Sequence, residues 1–192
     1  MKKEKKMWTE NEQKAMEFAK KEHQGQYRKT GESYINHPID VAAILKKEQL
    51  LNKIVTEELV ISGFLHDLVE DTSVSIEDIN ENFGQEVKRI VKSNTEDKDK
   101  TWIERKTNTH IKILVSEEDE IYLLLADKLS NIKSLEKEKK EKGDIDWTKF
   151  KEGEEKQRWY YVGILQIAKY KIKGQEPTFM KELEEKINYV FL

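Results

Sequence analysis

The stretch His66-Asp67-Leu68-Val69-Glu70-Asp71-Thr72 follows directly on the apolar run Val60-Ile61-Ser62-Gly63-Phe64-Leu65. On a helix, neighbouring imidazole and carboxylate groups point about 100° apart, so both reach one cation lying over the edge between them. A His-Asp pair alone is common on solvated helix surfaces. Two features add weight here. The preceding apolar run buries this helix end, and Glu70 and Asp71 follow His66 and Asp67 by four positions each. That spacing sets two further acids one turn beyond the pair on the same faces. The chemistry it suggests is a metal ion with acid groups beside it.

Two distant residues could complete such a site. His37 lies in INHPID and Asp127 in LLLADKLSN. A His before Pro can simply fill a turn, and an Asp on an amphipathic helix usually faces water. Asp127, however, follows Leu123, Leu124, Leu125 and Ala126, and a buried carboxylate needs a cation or several donors. Cysteine is absent, so any metal must use His, Asp or Glu. The set His37, His66, Asp67 and Asp127 mixes nitrogen and oxygen donors, which suits manganese, iron or zinc better than calcium or magnesium. His23, at the end of the first helix, reads as structural. His110 reads as lying on a solvated helix face.

The elements that must position these groups are helical. Apolar residues recur at helical spacing almost throughout, with two prolines and eight glycines as punctuation. Thr9 and Glu12 form a capping-box pattern for a first helix running to about His23. A polar loop, QGQYRKTGESY, carries the adjacent cations Arg28 and Lys29. A second helix is expected from Pro38, and a third from Thr56 through the HDLVEDT stretch. Ser75 and Asp78 cap a short helix, and Gly84 turns the chain into another. The segment SNTEDKDKTWIERK reads as a loop leading to a helix around Ile103 to Leu114. Ile121, Leu124, Leu125, Leu129, Ile132 and Leu135 mark the apolar stripe of a long helix, with Asp127 off the stripe. EKEKKEKGDID reads as a solvated helix end and loop. An aromatic-rich helix around Trp159 to Tyr161 and a last helix at about 178–190 close the chain. The expectation is one all-α domain, an orthogonal helical bundle over residues 1–192 with its core at about 9–172.

Composition narrows the function classes. The chain has 192 residues, 36% of them apolar, enough for one core. Its 35 basic and 38 acidic side chains leave a net charge of −3, spread along the sequence. That balance argues against a nucleic-acid partner and against a basic membrane face. Neither a signal-peptide pattern nor an apolar run of membrane-spanning length is present. The lack of cysteine fits a reducing compartment, and a soluble cytoplasmic protein is expected.

His37, the pair His66 and Asp67, and Asp127 have the H…HD…D order of the HD phosphohydrolases. The runs GQYRKTGESYINHP, FLHDLVEDT, FGQEV and LADKLSN extend the likeness across residues 12 to 135, and Glu104, Arg105 and Lys106 add an ERK segment. The chain thus resembles the hydrolase domain of the RelA/SpoT enzymes, and its length makes it most similar to the small stand-alone alarmone hydrolases. The resemblance implies removal of the 3′-pyrophosphate of (p)ppGpp, giving GDP or GTP plus pyrophosphate. By the same likeness, His37, His66, Asp67 and Asp127 hold one divalent ion, usually manganese (Mn2+), and Glu70 and Asp71 position and activate the water. Arg28 lies against the guanine, Lys29 helps hold the nucleotide, and Asn131 contacts ribose and phosphates. Arg105 and Lys106 offset phosphate charge, and Trp147 supplies a further wall. Ser33 replaces a usual proline, and Ser130 replaces an aromatic or His, which bears on substrate fit. Lys128 agrees with the small hydrolases. Other readings are hydrolysis of a different nucleotide phosphorylated at the ribose 2′ or 3′ position, and a non-catalytic alarmone-binding module.

Overall fold

The computed structural model describes residues 7–28 and 31–192; Lys29 of the sequence reading lies outside the described residues. Among the described residues the regular structure is helical, with one isolated bridge between Tyr27 and Ser33. The order is α1 (Glu10–Glu22), α2 (Asn36–Asn52), α3 (Glu57–Leu65), α4 (Leu68–Asp71), α5 (Ile76–Phe83), α6 (Gln85–Asn94), α7 (Trp102–Val115) and α8 (Glu118–Lys142). A 3-10 turn at Trp147–Lys149, α9 (Glu154–Lys171) and α10 (Phe179–Phe191) follow. The all-α expectation agrees with this architecture.

Local chemistry sets the helix starts. Thr9 and Glu12 close the α1 capping box, as Ser75 and Asp78 do for α5 and Thr101 and Glu104 for α7. Each box satisfies main-chain N–H groups that the first helical turn leaves without partners. Helix α2 begins at Asn36, ahead of Pro38, so His37 lies inside its first turn. The expected continuous helix through HDLVEDT is interrupted instead. Helix α3 ends at Leu65, His66 and Asp67 form a turn, and α4 resumes as a single short turn.

Helix α8 is the central element, packed against α2, α3, α6, α9 and α10. Its Leu123, Leu125 and Leu129 meet Leu45 of α2 and Leu59, Phe64 and Leu65 of α3 in a fully buried core. Burying each such side chain contributes about 1.5–3 kcal/mol. Helices α2 and α3 cross closely at Gly63. A β-carbon there would lie 2.9 Å from Ala42 Cα and 3.1 Å from Leu45 Cδ1, too near for any larger residue without movement. That crossing holds His37 and His66 on adjoining helix ends over one edge of α8.

Candidate metal and nucleotide site

Four expected ligands come from three places in the chain and meet. His37 Nε2 lies 3.1 Å from Asp127 Oδ1 and 3.5 Å from Asp67 Oδ2. His66 Nε2 lies 3.1 Å from Asp67 Oδ1 and 4.0 Å from Asp127 Oδ1. Ligand atoms of His37, His66 and Asp127 all fall within 4.8 Å of one another, as donors around one small cation must. Both imidazoles are buried.

The second ring nitrogens explain the orientation. His66 Nδ1 donates to the carbonyl of Gly63 at 3.0 Å, which leaves the Nε2 lone pair facing the carboxylates. That Nε2 is buried and has no hydrogen-bond partner. His37 Nδ1 lies 2.9 Å from Ser130 Oγ, again leaving Nε2 toward the cluster. Such backing of the outer nitrogen is the usual support of a metal-binding histidine. An unpartnered buried nitrogen among carboxylate oxygens therefore fits a divalent cation. Burial works against charge on His66, yet Asp67 and then Asp127 outweigh it and push its pKa up to about 9. Asp67 and Asp127 hold below the ordinary carboxylate range despite burial. His66 is the main cause for Asp67, and Lys128 for Asp127.

The two acids after the pair diverge. Asp71 Oδ2 and Asp67 Oδ2 both accept from the Tyr34 hydroxyl, at 2.8 and 2.7 Å, so one phenol ties a ligand candidate to an acid candidate. Burial and those two carboxylates raise the Tyr34 pKa far above its ordinary value, so the hydroxyl keeps its proton. Asp71 Oδ1 also receives Lys98 Nζ at 2.6 Å. Glu70 instead turns to the α6–α7 loop, where its Oε1 accepts from the Glu96 N–H at 2.8 Å. Burial raises its pKa. Asp71 therefore lies one turn beyond Asp67 on the same face, as its spacing suggested, with its N–H bonded to the Asp67 carbonyl at 2.9 Å, whereas Glu70 turns from His66 toward the α6–α7 loop.

A cavity of about 260 Å³ opens beside these groups, lined by His37, His66, Asp67, Glu70, Asp71 and Asp127 together with Arg28, Arg105, Lys106 and Asn131. Arg28 donates to Asn131 Oδ1 at 2.8 Å, and Asn131 Nδ2 donates to Asp127 Oδ1 at 2.5 Å, a chain linking the loop cation to the ligand cluster. A second cavity of about 330 Å³ shares Arg28, Tyr34 and Asn131 and adds Tyr27, Phe150 and Tyr161. Its aromatic and apolar wall suits a flat heterocycle beside a charged site.

Several sequence readings change. Trp147 lines neither of these cavities; it packs on Phe150 and stacks on Phe191, and the wall falls to Phe150 and Tyr161. Ser130 is buried behind His37 rather than set against a ligand. His110 is only part-exposed: it stacks on Tyr160, meets Trp159 edge-on and has Nε2 3.1 Å from the Tyr160 carbonyl. His23 is buried and stays outside the cluster, against Tyr34 and Gln26. Tyr34 and Glu96 belong to the site and were missed. Tyr34 stood inside the quoted RK loop motif, but Glu96 carried no local signal.

An HD-domain family model matches residues 15–150 of this chain. Guanosine-3′,5′-bis(diphosphate) 3′-pyrophosphohydrolase MESH1 from Homo sapiens is 33% identical over 92% of this chain and 90% of its own length. The guanosine-3′,5′-bis(diphosphate) 3′-pyrophosphohydrolase of Aquifex aeolicus is 43% identical over 64% of this chain, which spans only 17% of that protein. Among solved structures, one from Listeria monocytogenes EGD-e aligns with a TM-score of 0.74 and 36% identity, covering 81% of this chain and 98% of the other. That of a metazoan ortholog of SpoT that hydrolyzes ppGpp aligns with a TM-score of 0.75 and 25% identity, covering 96% and 95%.

Proposed function

The chain belongs to the HD-domain family, and on that premise we propose that it is a metal-dependent 3′-pyrophosphohydrolase of (p)ppGpp. The observation that carries this reading is the convergence of His37, His66 and Asp127 around the unpartnered His66 Nε2, with Asp67 facing one imidazole through each of its oxygens and Glu70 and Asp71 on the same cavity. The near full-length relative that bears this activity in its name supports the choice of substrate.

Those four residues would hold one divalent ion, with manganese the metal we favour. When bound, the ion supplies positive charge that acidifies water and polarises a phosphoryl oxygen. Glu70 and Asp71 between them take the proton of the attacking water at a carboxylate oxygen and return one to the ribose 3′ oxygen as its bond to phosphorus breaks. General acid and base action of this kind contributes about 10²- to 10⁴-fold. Burial favours this for Glu70, since a raised pKa makes the carboxylate a stronger base near neutrality. Arg28 and Asn131 orient the nucleoside, with Lys29 on the same loop, while Arg105 and Lys106 offset phosphate charge. Phe150 and Tyr161 provide the wall first assigned to Trp147. The products are GDP or GTP and pyrophosphate. A freely diffusing nucleotide substrate is compatible with the cytoplasmic location we favour, and residues 1–192 are read as one hydrolase domain. No helix among the described residues is long and apolar enough to cross a membrane.

The test is release of pyrophosphate from ppGpp by protein loaded with Mn2+. Undetectable turnover at full metal occupancy would remove this reading.

A further inference from the structure

The main cavity continues past the ligand cluster to a second group of charges. Glu96, in the loop between α6 and α7, is largely buried there. One carboxylate oxygen accepts from Arg105 Nη1 at 2.9 Å and the other from Lys106 Nζ at 2.7 Å. Lys106 Nζ also sits 4.7 Å from the centre of the Tyr160 ring. The Glu96 N–H donates to Glu70 Oε1. One residue therefore pairs with both cations expected to meet substrate phosphate, although Arg105 Nε stays buried without a partner, and it fixes an acid expected to handle water.

This arrangement poses a conflict for substrate. With its inner phosphorus at the ligand cluster, a 3′-pyrophosphate extends its outer phosphoryl group further along the cavity, and Arg105 and Lys106 line that cavity. Two anions cannot share those cations without strong repulsion, and a phosphoryl group carries more charge than a carboxylate. The Glu96 main chain is held by its bond to Glu70, so the exchange needs only a side-chain rotation.

We propose that Glu96 is an internal competitor for the seat of the outer phosphoryl group, yielding Arg105 and Lys106 when a pyrophosphate arrives and retaking them to expel the pyrophosphate product. The proposal rests on the hydrolase reading for its place in turnover. A nucleotide with one ribose phosphate ends short of the two cations and leaves Glu96 seated. The ligand class is thus an anion with two linked phosphoryl groups.

Calorimetry of inorganic pyrophosphate binding at fixed free Mn2+ tests this without turnover. Glu96→Gln and Glu96→Ala should each bind pyrophosphate about tenfold more tightly than the unaltered protein, the effect of about 1.4 kcal/mol no longer spent on displacement. Steady-state assays should show KM for ppGpp and kcat falling together, because product leaves slowly. Loss of a merely structural contact would raise KM or lower kcat with no gain in pyrophosphate affinity. Unchanged or weaker pyrophosphate binding in both variants would overturn the proposal. Failure of the unaltered protein to hydrolyse ppGpp would instead count against the hydrolase reading, and the binding comparison would still decide the role of Glu96.

Discussion

Of the buried polar clusters among the described residues, two are built to opposite rules. Between α1 and α2, Glu12 and Lys46 close on themselves. Lys46 Nζ donates to both Glu12 oxygens at 2.9 and 3.0 Å and to Gln49 Oε1 at 2.9 Å, and the Thr9 N–H adds a bond to Glu12 at 2.8 Å. Each proton of that ammonium has an acceptor, and one positive charge meets one negative. Around His66, by contrast, two carboxylates crowd two imidazoles, and one buried nitrogen has no partner. A satisfied cluster holds helices together; an unsatisfied one is open to a ligand. Burial alone does not separate structure from function, and neither does one missing bond, since His23 Nε2 is also buried without a partner; what marks the His66 cluster is the missing bond together with converging carboxylates.

The contrast can be pressed hardest at the acids. Glu70→Gln combined with Asp71→Asn should lower ppGpp turnover by about 10²- to 10⁴-fold while Mn2+ still binds, read by paired rate and metal-binding measurements. Metal binding lost together with turnover would place these acids among the ligands. On the closed side, Lys46→Met strands the Glu12 carboxylate. Denaturant unfolding should show a loss of about 3–5 kcal/mol, with Mn2+ affinity of the folded protein unchanged. Next in size, Ser130→Ala removes the group behind His37 and should weaken Mn2+ binding by about 10- to 100-fold with little change in stability.

A further expected effect is in pH dependence. In metal-stripped protein the His66 pKa is raised to about 9 in the fold, against about 6.5 in the unfolded chain. The stabilisation from its protonated form is then complete below about 6.5 and is lost as pH rises through about 9. Thermal melts across that window should show a falling Tm without metal. Added Mn2+ should flatten the fall, since the cation takes the proton's place. A Tm that rises through this window in the stripped protein would mean that His66 carries no such proton.

Helical periodicity made the fold class legible, because the stripe from Ile121 to Leu135 is a local pattern that the core of α8 simply uses. The ligand candidates were legible for other reasons: Asp127 and the His66–Asp67 pair follow apolar runs where a polar group is costly unless something answers it, and His37 joined them through the H…HD…D order of the family that the chain resembles. Their supporting groups were not. Ser130 reaches His37 from 93 residues away, Tyr34 reaches Asp67 across 33, and the Glu96 N–H meets Glu70 across 26. Such partners are chosen by helix packing, and no short window of sequence records that. His110 was misread because its polar neighbours on α7 concealed the aromatic surface that α9 brings to it. The turn at His66–Asp67 was missed because both residues keep right-handed helical dihedrals.

Gly63 gives the α2–α3 crossing its closeness, and its own carbonyl orients His66. The spacing of two imidazoles on different helices is thereby gauged by a residue that has no side chain. Metal preference in sites of one donor set follows geometry as much as donor identity. Ion selectivity could therefore drift in this protein by adjusting a helix crossing, with each donor atom retained, and an engineer seeking a different metal could begin at residue 63.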